Sequence, residues 1–138
     1  SSLHDSLLTP TACYASALTA LRDVGLWDKV HAAAHISGGG LPGNLPRSIP
    51  TGLSAVVDRR KVKDLAGRVT GTFDIIEKFG RVSKDEMWRV FNMGVGFVLV
   101  LTAESASAVL EQLETQGHRA GLIGSIANSA GQPLVWSE

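Results

Sequence analysis

The sequence predicts an α+β fold: a mixed β-sheet packed with helices. Strand-length apolar runs and stretches of helical period are interspersed without strict alternation, which fits helices on a mixed sheet better than repeated βαβ units. A length of 138 residues suits one domain spanning 1–138, and a chain of that size buries roughly 70% of its unfolded surface. Apolar residues make up 44% and charged residues 19%, a globular rather than a disordered balance.

Thr9-Pro10-Thr11 reads as a helix start, with a threonine cap and proline at the first helical position. That helix is expected to run to about Asp23, with Tyr14, Ala17, Leu18 and Leu21 on one face and Gly25 as its stop. Val30 to Ser37 reads as extended. The stretch His35-Ile-Ser-Gly-Gly-Gly-Leu-Pro-Gly-Asn-Leu-Pro-Arg47 follows, and its prolines forbid a long helix. Ser54 to Asp58 is a strand around the β-branched pair Val56 and Val57. Arg59-Arg60-Lys61-Val62-Lys63 reads as a solvated loop, and the chain from there to Gly71 as loop.

Phe73 to Gly80 is predicted helical. Ser83 with Glu86 three residues on forms a capping box that opens the next helix, with Met87, Val90 and Phe91 inward. Asn92 to Gly96 is a second glycine-bearing turn before the strand Phe97 to Leu101. Ser105 to Gln116 carries Ala106, Val109, Leu110 and Leu113 at helical period and ends at Gly117. Ala120 to Ala127 and Pro133 to Trp136 are read as closing strands about a turn at Asn128 to Gly131. The predicted order is α-β-β-α-α-β-α-β-β.

Lysine plus arginine and aspartate plus glutamate number 13 each, so no positive field favours nucleic acid or an acidic membrane surface. The longest strongly apolar run, Val95 to Leu101, is too short to span a bilayer. The lone Cys13 is expected to be buried and inert, and a chain without a possible internal disulfide suits a reducing compartment, hence a cytoplasmic setting. The chain opens on Ser1-Ser2 without methionine, which fits a processed product or a piece of a longer protein. No Cys-x-x-Cys, His-Glu-x-x-His or calcium loop supports a structural metal site. No Gly-x-Ser-x-Gly elbow is present, and the glycine stretch lacks the Walker ending.

Three consecutive glycines cost backbone entropy and call for a geometric reason. One reason is a backbone loop whose amides converge on an anion, helped by a helix opening behind it and by the Arg47 fork. The other is a tight strand-to-helix connection with no ligand. The residues leave both open. His35, alone among the four histidines, adjoins this stretch; it either holds the loop's shape or acts as a ligand or acid–base group.

Two stretches together resemble the aminoimidazole ribonucleotide synthetase (phosphoribosylformylglycinamidine cyclo-ligase) family. His35 to Arg47 is similar to its His-Ile-Thr-Gly-Gly-Gly-Leu-x-x-Asn-Leu-Pro-Arg signature. Glu86-Met-Trp-Arg-Val-Phe-Asn-Met-Gly-Val-Gly96 is similar to its Glu-Met-x-Arg-x-Phe-Asn-Met-Gly-x-Gly stretch. Leu7 to Thr11 with Tyr14, and Gly121 to Ile126, resemble further segments of its C-terminal half. The sequence departs from that pattern at Ser37 (threonine), Gly43 (glutamate) and Ala12-Cys13 (Arg-Ile), and it lacks a proline pair before the Phe73 helix.

The resemblance implies a C-terminal, substrate-binding domain of an enzyme that uses ATP and magnesium to close the imidazole ring of formylglycinamidine ribonucleotide in purine synthesis. Such chemistry calls for positioning and charge stabilisation. ATP and magnesium belong to the N-terminal half, fused or separate and without a counterpart here, so neither is expected to bind this domain alone. A homodimer is among the implied partners. Ser37, Gly38, Gly39, Gly40, Asn44 and Arg47 would hold an anionic group, with Asn92, Gly94 and Gly96 as the facing wall and His35 as the catalytic candidate. Two other readings are a stand-alone ligand-binding or interaction module of the same fold, and the C-terminal domain of a related ATP-dependent, kinase-like enzyme.

Overall fold

A computed structural model describes residues 3–129 and 131–137. Two short sheets, rather than one, organise the chain. β1 (Val30–His35) pairs antiparallel with β3 (Phe97–Leu101). β2 (Leu53–Asp58) is the central strand of the other sheet, antiparallel to β4 (Gly124–Asn128) and parallel to β5 (Leu134–Ser137). The fold is therefore α+β with a mixed sheet, as predicted, but β1 and β3 form a separate ribbon. Its register slips between Val30 and Ala32, leaving His31 as the extra residue of an irregularity.

The main core fills the space between these sheets and the helices. Ile36, Leu41 and Leu45 descend from the glycine stretch; Ala55 and Val57 come from β2; Met87, Trp88, Met93 and Val95 arrive from the second motif stretch, and Val98 from β3. Full burial of side chains such as Ile36, Leu41 and Met87 stabilises by roughly 1.5–3 kcal/mol each relative to exposure. Ala17, Leu21 and Val109 are buried outside this cluster, where α2 (Ala15–Asp23) packs on α7 (Ala106–Thr115).

The first helix is shorter than expected. Tyr14 occupies the position before α2, and no side chain caps it; a separate helix, α1 (Leu3–Leu8), precedes it, with irregular chain between. Thr9 does not start a helix; its hydroxyl donates to the Asp5 carbonyl at 2.7 Å, at the end of α1. Cys13 falls in the irregular segment and is exposed, so the expectation of a buried thiol fails with the helix that would have buried it.

The expected loop at Arg59 is in fact α4 (Arg59–Ala66). Asp58, still extended, accepts from the backbone N–H of Arg60 at 2.8 Å and of Lys61 at 3.3 Å, satisfying donors a helix start leaves open. Val62 and Ala66 are buried and Leu65 packs on the core; their i, i+3, i+4 spacing is helical. α5 (Thr70–Gly80) begins three residues before the predicted start, and Arg81 rather than a glycine takes the left-handed position after it.

Ser83 caps α6 (Lys84–Val90) by accepting from the Glu86 N–H at 3.3 Å. The reciprocal half of the capping box is replaced: Glu86 accepts from Arg89 Nε at 2.7 Å. The closing strands start later than expected, at Gly124 and Leu134, and the turn between them includes Ala130, which lies outside the described residues. No described helix is long and apolar enough to cross a membrane.

Candidate functional site

β1 delivers the glycine stretch to the end of α6. Gly39 (φ +90°) and Gly40 (φ +56°) take left-handed backbone and turn the chain into α3 (Gly40–Asn44), followed by a 3-10 turn over Leu45–Ser48. Gly40 is needed for space as well as conformation. A Cβ there would stand 2.5 Å from the Phe91 carbonyl oxygen and 3.1 Å from that of Trp88. Gly38 differs: nothing lies within 4 Å of a Cβ built on it, and it is exposed.

The two motif stretches are one connected unit. The Gly39 N–H donates to the Val90 carbonyl at 3.1 Å, and the Ile36 N–H donates to the Gly96 carbonyl at 2.9 Å. In the second stretch the Gly94 N–H donates to Asn92 Oδ1 at 2.9 Å and the Val95 N–H to the Asn92 carbonyl at 3.0 Å. This tight turn puts Met93 (φ +51°) and Gly94 (φ +90°) in left-handed conformation. A Cβ on Gly94 would meet Ala66 of α4 at 2.5 Å.

Much of the loop's polarity is turned inward. Asn44 is buried, and its Nδ2 donates to the carbonyls of Gly40 (2.8 Å), Gly38 (3.2 Å) and Ser37 (3.4 Å). The Gly40 N–H donates to Ser37 O at 3.1 Å, and the Gly43 N–H to Gly39 O at 2.8 Å. With Gly39 also committed to Val90, the consecutive amides of Gly39 and Gly40 do not converge outward. These two glycines and Asn44 supply the loop's shape, while Ser37, Gly38 and His35 are exposed.

Arg47 is exposed on the far side of the loop. It lines a shallow groove of about 590 Å³ with Pro46, Pro50, Gly52, Ser129 and Pro133, a group that contains no residue of 37–44. A larger cleft of about 820 Å³ is lined by residues of α2, α7 and strands β1 to β4 and is mainly apolar; Tyr14, His31, His118 and Arg119 are among its polar lining residues. Neither cavity is lined by Ser37–Asn44, Asn92, Gly94 or Gly96.

In the sequence His118 adjoins neither motif stretch. The structure brings it to Tyr14, with ring centroids 5.6 Å apart, and the same tyrosine ring lies 6.4 Å from His35 and 5.3 Å from Phe97. Burial pushes the Tyr14 phenol above its ordinary pKa. Nothing local in sequence marked His118 as part of this group, because α7 and the turn after it carry it back to the segment before α2. Among the described residues no group of three histidine, cysteine or carboxylate side chains gathers to hold a metal ion.

The fold and the candidate site define the class: an α+β domain whose two glycine-bearing turns are hydrogen-bonded to each other, with Ser37, Gly38 and His35 exposed beside them. The chain belongs to the family described as AIR synthase related protein, C-terminal domain, whose sequence model matches residues 1–137. It is 42% identical over 131 residues to the phosphoribosylformylglycinamidine cyclo-ligase of Anaeromyxobacter dehalogenans strain 2CP-C, covering 95% of this chain and 35% of that protein. The cyclo-ligase of Pseudothermotoga lettingae is 41% identical over 124 residues, with 90% and 34% covered. That of Synechococcus sp. strain CC9605 is 39% identical over 134 residues, with 96% and 37% covered. The chain thus spans about a third of the length of these relatives.

Proposed function

We propose that this chain is the substrate-side domain of a cyclo-ligase that converts formylglycinamidine ribonucleotide to aminoimidazole ribonucleotide, and that it binds the ribonucleotide at the glycine stretch. The observation that carries this reading is the hydrogen-bonded union of the two motif stretches, which leaves Ser37, Gly38 and His35 exposed on a rigid support. In this reading the Ser37 hydroxyl and the backbone at Gly38 contact the ligand's anionic group. His35 contributes a ring N–H or a base beside it. Gly39, Gly40, Asn44, Asn92, Gly94 and Gly96 hold that surface in place, and Arg47 approaches only a ligand long enough to reach its groove. ATP and magnesium act through the N-terminal part of the full-length enzyme, in the cytoplasm, and positioning rather than a protein nucleophile drives ring closure.

Calorimetric titration tests this directly. Formylglycinamidine ribonucleotide is expected to bind the chain, with Ser37→Ala and His35→Ala weakening it, while thiamin monophosphate binds poorly. Equal indifference to both ligands would remove the substrate-loop reading and favour a stand-alone interaction module. Preference for thiamin monophosphate would favour the kinase-like relative.

A further inference from the structure

The outward sides of α1 and α5 carry apolar side chains that the domain's own core leaves unused. Phe79 is 76% exposed, Leu8 68% and Leu7 61%. Ile75 stands one turn before Phe79 and shares its stripe, whereas Phe73 and Ile76 of the same helix pack inward on the core. α1 packs against α5, so the leucines and the Ile75–Phe79 stripe belong to neighbouring elements. A Phe79 ring left in water forgoes the transfer free energy that large aromatics normally gain, and a group of such residues marks an interaction surface.

The relatives are longer than this chain. The chain matches a C-terminal domain and spans about 35% of their length, so the relatives carry a further, N-terminal part ahead of the matched domain. We propose that the α1–α5 face is the docking surface for that preceding part of a full-length protein, with Phe79 and Leu8 as its anchors. The proposal rests on the cyclo-ligase-like reading above and goes beyond it by naming the face.

The test replaces the matching third of the Anaeromyxobacter dehalogenans protein with this chain and compares the fusion with the isolated chain by hydroxyl-radical footprinting. Modification of Phe79 and Leu8 is expected to fall by roughly ten-fold in the fusion, as burial in a dry interface requires, while Leu122 and Val135 stay equally reactive. Phe79→Asp is expected to leave the melting temperature of the isolated chain unchanged and to lower that of the fusion by several degrees. Equal labelling in both forms overturns the proposal. So does labelling of the isolated chain that falls as its concentration rises, which would make this an interface between copies. If the fusion does not fold, the same footprint is read on the unaltered relative at the positions aligned with Phe79 and Leu8, where full reactivity overturns the proposal. Protection without ring closure would keep the docking face and remove only the activity.

Discussion

The Tyr14 phenol occupies the space that a side chain on Gly96 would need: a Cβ there overlaps the tyrosine hydroxyl. The segment before α2 is thereby fitted to the turn that accepts the Ile36 N–H. Gly96→Ala is expected to destabilise the fold by about 1–3 kcal/mol, the usual cost of overpacking. Tyr14→Phe removes the overlapping oxygen and should recover part of that loss in the double variant. Urea denaturation of the two single variants and the double variant measures it; additive losses would mean that the two residues do not share this space.

Gly38 and Gly40, two residues apart in one motif, differ in what a side chain would meet. Gly40→Ala adds a backbone clash with Phe91 at positive φ and should cost about 2–4 kcal/mol. Gly38→Ala enters open space and should stay within about 0.5 kcal/mol of the parent protein, as surface substitutions usually do. If Gly38 faces the ligand, the same change weakens nucleotide binding without moving the denaturation midpoint. Unchanged binding would assign all three glycines to loop geometry alone.

Asn44→Ala removes the donor shared by the Ser37, Gly38 and Gly40 carbonyls. A loss of about 1–3 kcal/mol is expected from the unsatisfied carbonyls, together with faster amide exchange across residues 37–44. Exchange that stays at the parent rate would show that the loop does not depend on Asn44.

Asp58 gives the fold an acid-sensitive point. Burial alone would raise its carboxyl pKa, but the N–H groups and charges of Arg60 and Lys61 hold it below the ordinary aspartate value. A depressed folded-state pKa means that the stabilisation is present above the unfolded-state value and is lost as pH falls through the folded one. Asp58→Asn keeps a capping oxygen and removes the titration, so its denaturation midpoint should fall less between pH 5 and pH 2 than that of the parent protein. Parallel pH profiles would sink this assignment.

Arg59, the first residue of α4, stacks its guanidinium 4.7 Å from the Trp136 ring centre and 5.4 Å from that of Trp88, and the two indoles meet edge to face. Its Nε is buried and finds no hydrogen-bond partner among the described residues, so the stacking carries the contact. Arg59→Met should keep the volume, lose about 0.5–2 kcal/mol of cation–π attraction and shift tryptophan emission. An unshifted spectrum would argue against the stack in solution.

The elements read most fully from sequence were those with a local signal. Phe97 to Leu101 was bounded by a glycine turn and a polar exit, and Ser83 announced α6 by its cap. α4 was hidden because the charges of Arg59 to Lys63 masked the apolar spacing of Val62, Leu65 and Ala66; the cap at Asp58 was the available clue. The false helix start at Thr9 followed a favourable Thr-Pro pair that tertiary structure overrides. The division into two sheets depends on which strands meet, and no local pattern records that. At the candidate site the sequence located both turns, but not which amides face inward, because Asn44 and Val90 decide that through contacts formed only in the fold.

The central strand β2 receives both of its partners from residues 124–137. During synthesis Leu53 to Asp58 therefore emerges long before either edge can be covered, and its buried Ala55 and Val57 remain adhesive in the meantime. Assembly of this domain is a late event with slow, long-range closure, and a transcript truncated before Leu134 would yield a chain prone to aggregate through that open edge. Loss of residues 134–137 would thus bare one edge of the central strand and remove Leu134 and Trp136 from the side of the core.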